Sequence, residues 1–350
     1  MIPLFKPYMP EDLPELAAIL HSGALAYGKW GRQFEQKLSN YLCAKHVLVT
    51  NTYGMAWQVL LAALGFQAGD EVIASPMACL QSNMPFVAAG LKVVWADIDP
   101  QHGVLDPDSV RSKITPKTKL IAHNHFCGYP GYIDEINSIA REYGIMVVDD
   151  CIEAFGAQYK GARLGNIGTP ASVFSFQTVR LPNTIDGGAL VIEDDVLFQK
   201  AVIARDLGIN RPRFRDEMGE ISPLCDITTI GVAATPSDVY SYIGCCQMDL
   251  LDDLLAKQKR NAKLWEEKLS DMPSLIDFID KKDSEPNYWV CGILSSNREA
   301  DMKLLREKGY ACSSVHLPNT YYSVFGRQGE LKGVQEFYNK FMAIPSGWWL

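Results

Sequence analysis

The pattern of hydrophobic and polar positions predicts an alternating α/β chain. Short apolar runs bounded by turn residues or charges are typical of buried strands, and longer stretches with helical spacing lie between several of them. This alternation indicates a mostly parallel sheet that is covered on both faces by helices. The strands predicted in this way are residues 46–50, 71–75, 92–96, 119–124, 145–149, 172–176 and 188–192.

Helical spacing also predicts how the chain is organised around this sheet. We expect a first helix to begin at Pro10-Glu11-Asp12, where acidic groups suit the positive end of a helix. A long helix at 247–269 has one apolar face. It is expected to link a large domain, residues 1–245, to a smaller C-terminal α/β domain, residues 246–350. The other predicted elements are helices at 30–42, 55–64, 132–142 and 300–308 and a strand at 289–294.

Composition narrows the class of protein. With 350 residues and 47% hydrophobic content, the chain can bury a large core. The net charge of −8 argues against non-specific binding of nucleic acid or of anionic membranes. No apolar run has the length of a membrane span, and the start lacks the pattern of a signal peptide, so we expect a cytoplasmic protein. The six histidines and nine cysteines show no ligand spacing, so no metal site is expected.

Two motifs at predicted strand ends carry candidate chemistry. The segment 171–192 reads as a buried strand, a polar elbow and a second strand, and the elbow holds Ser175-Phe176-Gln177-Thr178-Val179-Arg180. The segment VVDDCIEAFG places Asp150 directly after another apolar strand. Both resemble motifs of the DegT/StrS-type nucleotide-sugar aminotransferases, which are fold-type I pyridoxal-phosphate (PLP) enzymes. The resemblance covers nearly the whole chain.

Arg180 stands where the resemblance implies the lysine that holds PLP as a Schiff base. A lysine amine can lose its proton and attack an aldehyde. A guanidinium stays protonated and forms no such imine. We therefore expect no lysine-based transamination at Arg180, and we expect PLP or pyridoxamine phosphate (PMP) to bind without a covalent bond, or to be absent. A misaligned surface arginine is the alternative interpretation.

The resemblance also implies which residues face the cofactor. Asp150 matches the aspartate that pairs with the pyridine nitrogen. Glu153 stands where the family has His or Gln, and its charge opposes an anionic cofactor. The family's phosphate-binding turn at a helix start is altered, and the aromatic residue that stacks on the ring is replaced by Leu80. The remaining candidate cofactor contacts are Thr52, Tyr53, Gly54, Ser175 and Gln177.

Substrate contacts follow from the same resemblance. His125 and His316 match loops that face the family's substrate cleft, and His125 or Glu153 is a candidate acid or base. For each histidine, a structural hydrogen bond is an equal alternative. Lys160 and Arg211 are candidates for binding phosphate or carboxylate groups. Tyr27 is a candidate substrate contact, with core packing as its alternative.

Three functions remain open at this point. The first is an enzyme that acts on a nucleotide-linked keto-sugar without a lysine aldimine, as in the family's dehydratase branch, where histidine replaces lysine. The second is a non-catalytic subunit or sensor that supports an active paralogue. The third is an aminotransferase that uses another lysine, such as Lys160. Family resemblance further implies a homodimer whose sites are shared across the interface, and a last helix that this chain lacks.

Overall fold

The computed structural model describes residues 1–350, and its strands match the predicted pattern. All seven predicted sheet strands are present, with bounds that shift by one or two residues. The strands are β1 (Val47–Thr50), β2 (Glu71–Ala74), β3 (Lys92–Trp95), β4 (Thr118–Asn124), β5 (Met146–Cys151), β6 (Gln158–Tyr159), β7 (Ala162–Arg163), β8 (Ala171–Ser175), β9 (Gly188–Ile192), β10 (Leu275–Phe278), β11 (Ser284–Glu285), β12 (Cys291–Ser295) and β13 (Phe341–Ile344).

Twelve α-helices surround these strands, together with three short 3-10 turns at Phe126–Gly128, Asn319–Tyr321 and Ser323–Phe325. No helix is both long and apolar enough to cross a membrane. The helices are α1 (Leu16–His21), α2 (Lys29–Leu42), α3 (Tyr53–Leu64), α4 (Leu80–Ala88), α5 (Pro107–Lys113), α6 (Ile133–Tyr143), α7 (Asp195–Arg205), α8 (Arg211–Phe214), α9 (Asp238–Met248), α10 (Leu251–Leu269), α11 (Arg298–Glu307) and α12 (Lys332–Lys340).

The central sheet has the strand order β1-β9-β8-β5-β4-β2-β3. Its strands pair in parallel from β8 through β5, β4 and β2 to β3, and β9 runs antiparallel to both of its neighbours. Side chains alternate between two hydrophobic clusters, so that Val72 and Ala74 pack toward α3 and α4 while Ile73 packs toward α5 and α6. The predicted fold class, a mostly parallel sheet between helices, is confirmed.

A smaller antiparallel sheet in the C-terminal part has the order β10-β12-β13. Its buried strands pack with Trp265 of α10 and with Leu305 and Phe337 of α11 and α12 in one hydrophobic cluster. The two-residue strands β11, β6 and β7 form a third sheet, which joins the C-terminal part to the hairpin after β5. The domain boundary predicted after residue 245 falls inside α9, and the division into two domains stays a prediction.

Two predicted helix bounds are wrong. The first helix begins at Leu16 rather than at residues 10–12, because Leu13 precedes Pro14 and a residue before proline disfavours helical geometry. The stretch 247–269 is not one helix: α9 ends at Met248 and α10 begins at Leu251. The start of α9 was missed, although Ser237 marks it by accepting a hydrogen bond from the Tyr240 backbone N–H at 3.2 Å.

Candidate functional site

Candidate residues gather at the carboxyl end of three adjacent strands. His125 follows β4, Asp150 and Glu153 lie at the end of β5, and Arg180 follows β8 by a short turn. Because β4, β5 and β8 are parallel neighbours, their carboxyl ends meet at one edge of the sheet. Ligands of such sheets bind outside that edge. The sheet topology therefore collects side chains that lie far apart in the sequence.

Glu153 lies at the centre of a buried ion cluster with Arg180 and His316, here called the Arg–Glu–His cluster. Its Oε1 lies 2.7 Å from His316 Nε2 and 3.4 Å from Arg180 Nη2. Its Oε2 accepts a hydrogen bond from the Cys127 backbone N–H at 2.8 Å. Burial by itself raises the pKa of Glu153, but His316 and Arg180 outweigh burial and hold the pKa below its usual range. Glu153 is therefore a carboxylate at neutral pH.

Arg180 is held by stacking rather than by a full set of hydrogen bonds. Its guanidinium carbon lies 4.2 Å from the centroid of a Trp289 ring, and the Trp289 N–H donates to the Val179 carbonyl at 2.8 Å. The residue is 8% exposed. Its Nε and Nη1 have no hydrogen-bond partner in the protein. A buried guanidinium thus keeps two of its three nitrogens free to bind an acceptor.

The carboxylate of Asp150 is already bound by protein groups. The Tyr53 hydroxyl donates to Oδ1 at 2.5 Å, and Asn124 donates to Oδ2 at 2.9 Å. The Trp57 indole N–H in turn donates to the Tyr53 oxygen at 2.8 Å. Burial raises the pKa of Asp150, although these hydrogen bonds oppose the rise. The Asp150 carboxylate, which was expected to pair with a pyridine nitrogen, is therefore hydrogen-bonded to the Tyr53 phenol.

The start of α3, where the sequence resemblance predicts a phosphate-binding turn, is organised around Tyr53. Thr52 caps the helix by accepting the Met55 backbone N–H at 3.1 Å, and Gly54 lies in the first turn. The Tyr53 side chain is fully buried and points to Asp150 instead of toward an open turn. Burial, followed by the Asp150 charge, raises the Tyr53 pKa well above its usual value, so the hydroxyl keeps its proton.

These contacts do not fit bound PLP. Arg180 has no amine that could form an imine with an aldehyde. The Asp150 carboxylate is engaged by the Tyr53 hydroxyl, and the Glu153 carboxylate is a second buried negative charge that an anionic cofactor would meet here. The side chains present are therefore a poor match for PLP, and their expected cofactor roles stay predictions.

Three further candidates lie near this edge of the sheet. Ser175 ends β8, is buried, and accepts the Gln177 backbone N–H at 3.3 Å. Gln177 is exposed. Leu80 is the first residue of α4 and is 39% exposed. Their predicted roles as cofactor contacts stay predictions.

The ring of His125 is fully buried, and its predicted role as an acid or base stays a prediction beside the structural alternative. Its Nε2 lies 3.3 Å from Asp149 Oδ1, and His123 Nδ1 lies 3.0 Å from the same oxygen. The Gly131 backbone N–H donates to His125 Nδ1 at 2.9 Å, so Nδ1 carries a lone pair and Nε2 carries the proton. In this tautomer Nε2 of His125 has no lone pair for a metal ion, and of the two histidines only His123 makes a hydrogen bond with Asp149.

The remaining candidates lie outside the Arg–Glu–His cluster. Lys160 is exposed in the turn between β6 and β7 and pairs with an acidic side chain of α6. Arg211 is exposed and forms an ion pair with Asp206, with Nη2 2.6 Å from Oδ1. Tyr27 donates its hydroxyl to Glu35 at 2.5 Å. None of the three contacts Arg180, Glu153 or His316, and their substrate roles stay predictions.

Sequence reasoning missed two residues of the site. Trp289 stacks on Arg180, and Asn124 donates a hydrogen bond to Asp150. Asn124 could have been identified from the sequence, since it is a polar side chain at the end of a buried strand next to a candidate residue. Trp289 could not, because its contact with Arg180 exists only once the C-terminal part packs against the sheet.

Comparison with known proteins identifies similar chains over nearly the full length. The profile of the DegT/DnrJ/EryC1/StrS aminotransferase family matches residues 8–348. The structure is similar to the sugar aminotransferase CalS13 of Micromonospora echinospora, with a TM-score of 0.92 and 29% identity, covering 100% of this chain and 96% of that one. The sequence is 26% identical over 348 residues to the spore coat polysaccharide biosynthesis protein SpsC of Bacillus subtilis, covering 96% of this chain and 89% of SpsC.

A second similar structure contains a cofactor. It is the putative sugar aminotransferase Spr1654 of Streptococcus pneumoniae in its PMP form, with a TM-score of 0.90. The match covers 100% of this chain and 95% of Spr1654 at 21% identity, so it supports the fold alone.

Proposed function

Because the chain belongs to the DegT/DnrJ/EryC1/StrS aminotransferase family, we propose that it binds a nucleotide-linked sugar and acts on it without lysine-based transamination. The setting is polysaccharide or antibiotic sugar biosynthesis, which the names of the similar sugar aminotransferase and spore coat protein support. The Arg–Glu–His cluster carries the proposal, since it brings a histidine–carboxylate pair beside Arg180, the residue that the resemblance aligns with the family's lysine.

No step of the proposed chemistry uses PLP or PMP. In an aminotransferase the cofactor serves as an electron sink when its ring nitrogen is paired with an aspartate. Here Asp150 is bound by Tyr53, and Arg180 offers no amine. The residues of this chain must therefore supply the proton transfers themselves.

His316 is the proposed acid–base group, and Glu153 positions it. When the Nε2–H of His316 donates to Glu153 at 2.7 Å, the lone pair of the ring is on Nδ1. The ionised carboxylate then stabilises the imidazolium that forms when Nδ1 accepts a proton, as the aspartate does in a Ser-His-Asp triad. The His316 side chain is 15% exposed, unlike the 1% exposed Glu153, so we assign the contact with the ligand to the histidine.

The reaction class that fits is a proton shift on a keto-sugar. His316 Nδ1 takes a proton from the carbon beside the keto group, and the electron pair moves to the carbonyl oxygen. The same nitrogen then returns the proton on the same face, either to that carbon or to the former carbonyl carbon. In the second case the proton of the adjacent hydroxyl moves to the enolate oxygen, so that the keto group shifts by one position. The step consumes no oxidant and no second substrate, and general acid–base catalysis of this kind contributes about 10²–10⁴-fold to the rate.

Deuterium exchange tests this proposal. Nucleotide-linked keto-sugars are incubated with the protein in D₂O, and incorporation at carbon is followed by mass spectrometry. We expect incorporation with the wild type, loss with His316→Ala, and no change with His21→Ala, an exposed histidine on α1. If no sugar in a broad panel exchanges or binds, the proposal is wrong.

The visible spectrum after addition of PLP gives a second test. We expect no absorption band that borohydride reduces. A reducible band would instead favour an aminotransferase that uses another lysine, and lysine mutants such as Lys160→Met would identify it.

A specific surface feature favours a second candidate, a subunit that supports another chain. The segment between α8 and α9 exposes several large apolar side chains, and Met218, Leu224 and Ile230 are 88%, 85% and 82% exposed. Such a patch is typical of a protein interface. The proposed assembly is a homodimer, as the family resemblance implies for sites that are shared across the interface of two chains. Leu224→Glu is expected to lower the mass measured by light scattering to that of one chain, and an unchanged mass for this variant, or a monomeric wild type, would contradict the assignment.

A further inference from the structure

Arg180 carries hydrogen-bond donors that nothing in the protein satisfies. Its Nε and Nη1 are buried without a partner, although the residue is only 8% exposed. Buried donors in native proteins are nearly always paired, because an unpaired one loses its water without compensation. The guanidinium cannot escape this cost by losing its proton. A ligand with acceptor oxygens would give these donors hydrogen-bond partners.

The charges around Arg180 indicate what kind of acceptor fits. Glu153 is shared between Arg180 at 3.4 Å and His316 at 2.7 Å. Glu153 contacts Arg180 through Nη2 alone, and Asp150 is engaged by Tyr53 and Asn124. No second carboxylate pairs with the guanidinium, so its two unpaired nitrogens suit an acceptor with a single negative charge.

The number of negative charges on the group favours a carboxylate over a diphosphate, since the planar fork of arginine can bind either. Stacking on Trp289 fixes the plane of the guanidinium, and a planar guanidinium suits a planar carboxylate through parallel hydrogen bonds. A diphosphate would bring at least two negative charges close to Glu153. We propose that Arg180 binds a carboxylate on the sugar itself, so that the substrate is a nucleotide-linked uronate. This inference rests on the proposed function, because it assumes that a nucleotide sugar binds at this site.

Binding measurements with matched ligands test the inference. UDP-glucuronate and UDP-glucose differ only at the carboxylate, and the corresponding dTDP pair covers a different nucleotide. Isothermal titration of the wild type is expected to show binding of the uronate that is about 10- to 100-fold tighter, as for a hydrogen bond to a charged group. Arg180→Gln removes the charge, and Arg180→Lys keeps it without the planar fork. Arg111→Gln is the matched control, since it removes an exposed arginine that pairs with a glutamate.

The preference is expected to vanish in Arg180→Gln, to shrink in Arg180→Lys, and to persist in Arg111→Gln. Equal binding of the two sugars by the wild type overturns the inference and leaves the proposed function intact. A preference that survives in Arg180→Gln assigns the carboxylate to another residue and also overturns it. If neither sugar binds with either nucleotide, the proposed function itself fails. If one variant at position 180 does not fold, the other still shows whether the preference depends on Arg180.

Discussion

Replacing Glu153 by glutamine is expected to destabilise the protein more than replacing its partner Arg180 by methionine. Glutamine keeps the size of the side chain and can still accept the Cys127 N–H, which Glu153 accepts at 2.8 Å. It removes the only carboxylate that contacts Arg180. The arginine stays charged because it cannot lose its proton. A buried cation is then left without a counter-charge.

The size of each stability loss depends on how the variant can accommodate the charge that has lost its partner. Breaking a buried ion pair costs about 3–5 kcal/mol when the remaining charge is uncompensated. Stacking on Trp289 and the long 3.4 Å contact place Glu153→Gln near the lower value, at about 3 kcal/mol. In Arg180→Met, Glu153 keeps His316 and can take up a proton, at about 1.4 kcal/mol per pKa unit. We therefore expect a smaller loss there, about 1–2 kcal/mol.

Thermal unfolding at pH 7 measures the difference. An unfolding entropy of about 2.1 cal/mol/K per residue gives about 0.7 kcal/mol/K for 350 residues, so Glu153→Gln should lower Tm by roughly 4 °C. Glu142→Gln is the matched control, because it breaks the exposed pair with Arg111, which has an N–O distance of 2.7 Å. We expect a shift of about 1 °C or less for this control. If Arg180→Met lowers Tm more than Glu153→Gln does, the reasoning about an unpaired, buried arginine charge is refuted.

Three further predictions concern the same edge of the sheet. Tyr53→Phe removes the hydroxyl that donates to Asp150 and accepts from the Trp57 N–H. Urea unfolding is expected to show a free energy of unfolding that is about 1–3 kcal/mol lower, and unchanged stability would contradict the assigned contacts. Arg180→Lys is expected to form no borohydride-reducible band with PLP, since Tyr53 still occupies Asp150, and a reducible band would show that the site accepts the cofactor. The pKa of Glu153 lies below its usual 4.5, so its ionised form stabilises the fold above pH 4.5. The stability difference between wild type and Glu153→Gln should therefore shrink as the pH falls below 4.5, and a constant difference would argue against an ionised Glu153.

Much of the fold was accessible from the sequence. The seven strands of the central sheet are short apolar runs, and such runs predict buried strands from the local sequence alone. Their positions along the chain could therefore be predicted. Helix bounds failed where a single local feature decided them, such as Pro14 before α1 and the break between α9 and α10. The resemblance to sugar aminotransferases also came from contiguous motifs, and the family match over residues 8–348 confirmed it.

The chemistry of the site was accessible only in part. The sequence determined that an arginine stands at position 180 and that Asp150 follows a strand, because both facts belong to contiguous motifs. Tertiary structure alone decided that Tyr53 turns inward to Asp150 and that His316 reaches Glu153. The physical reason is distance along the chain: these partners are 97 and 163 residues apart, and no local pattern encodes which distant side chains share a desolvated edge of the sheet once the core has packed.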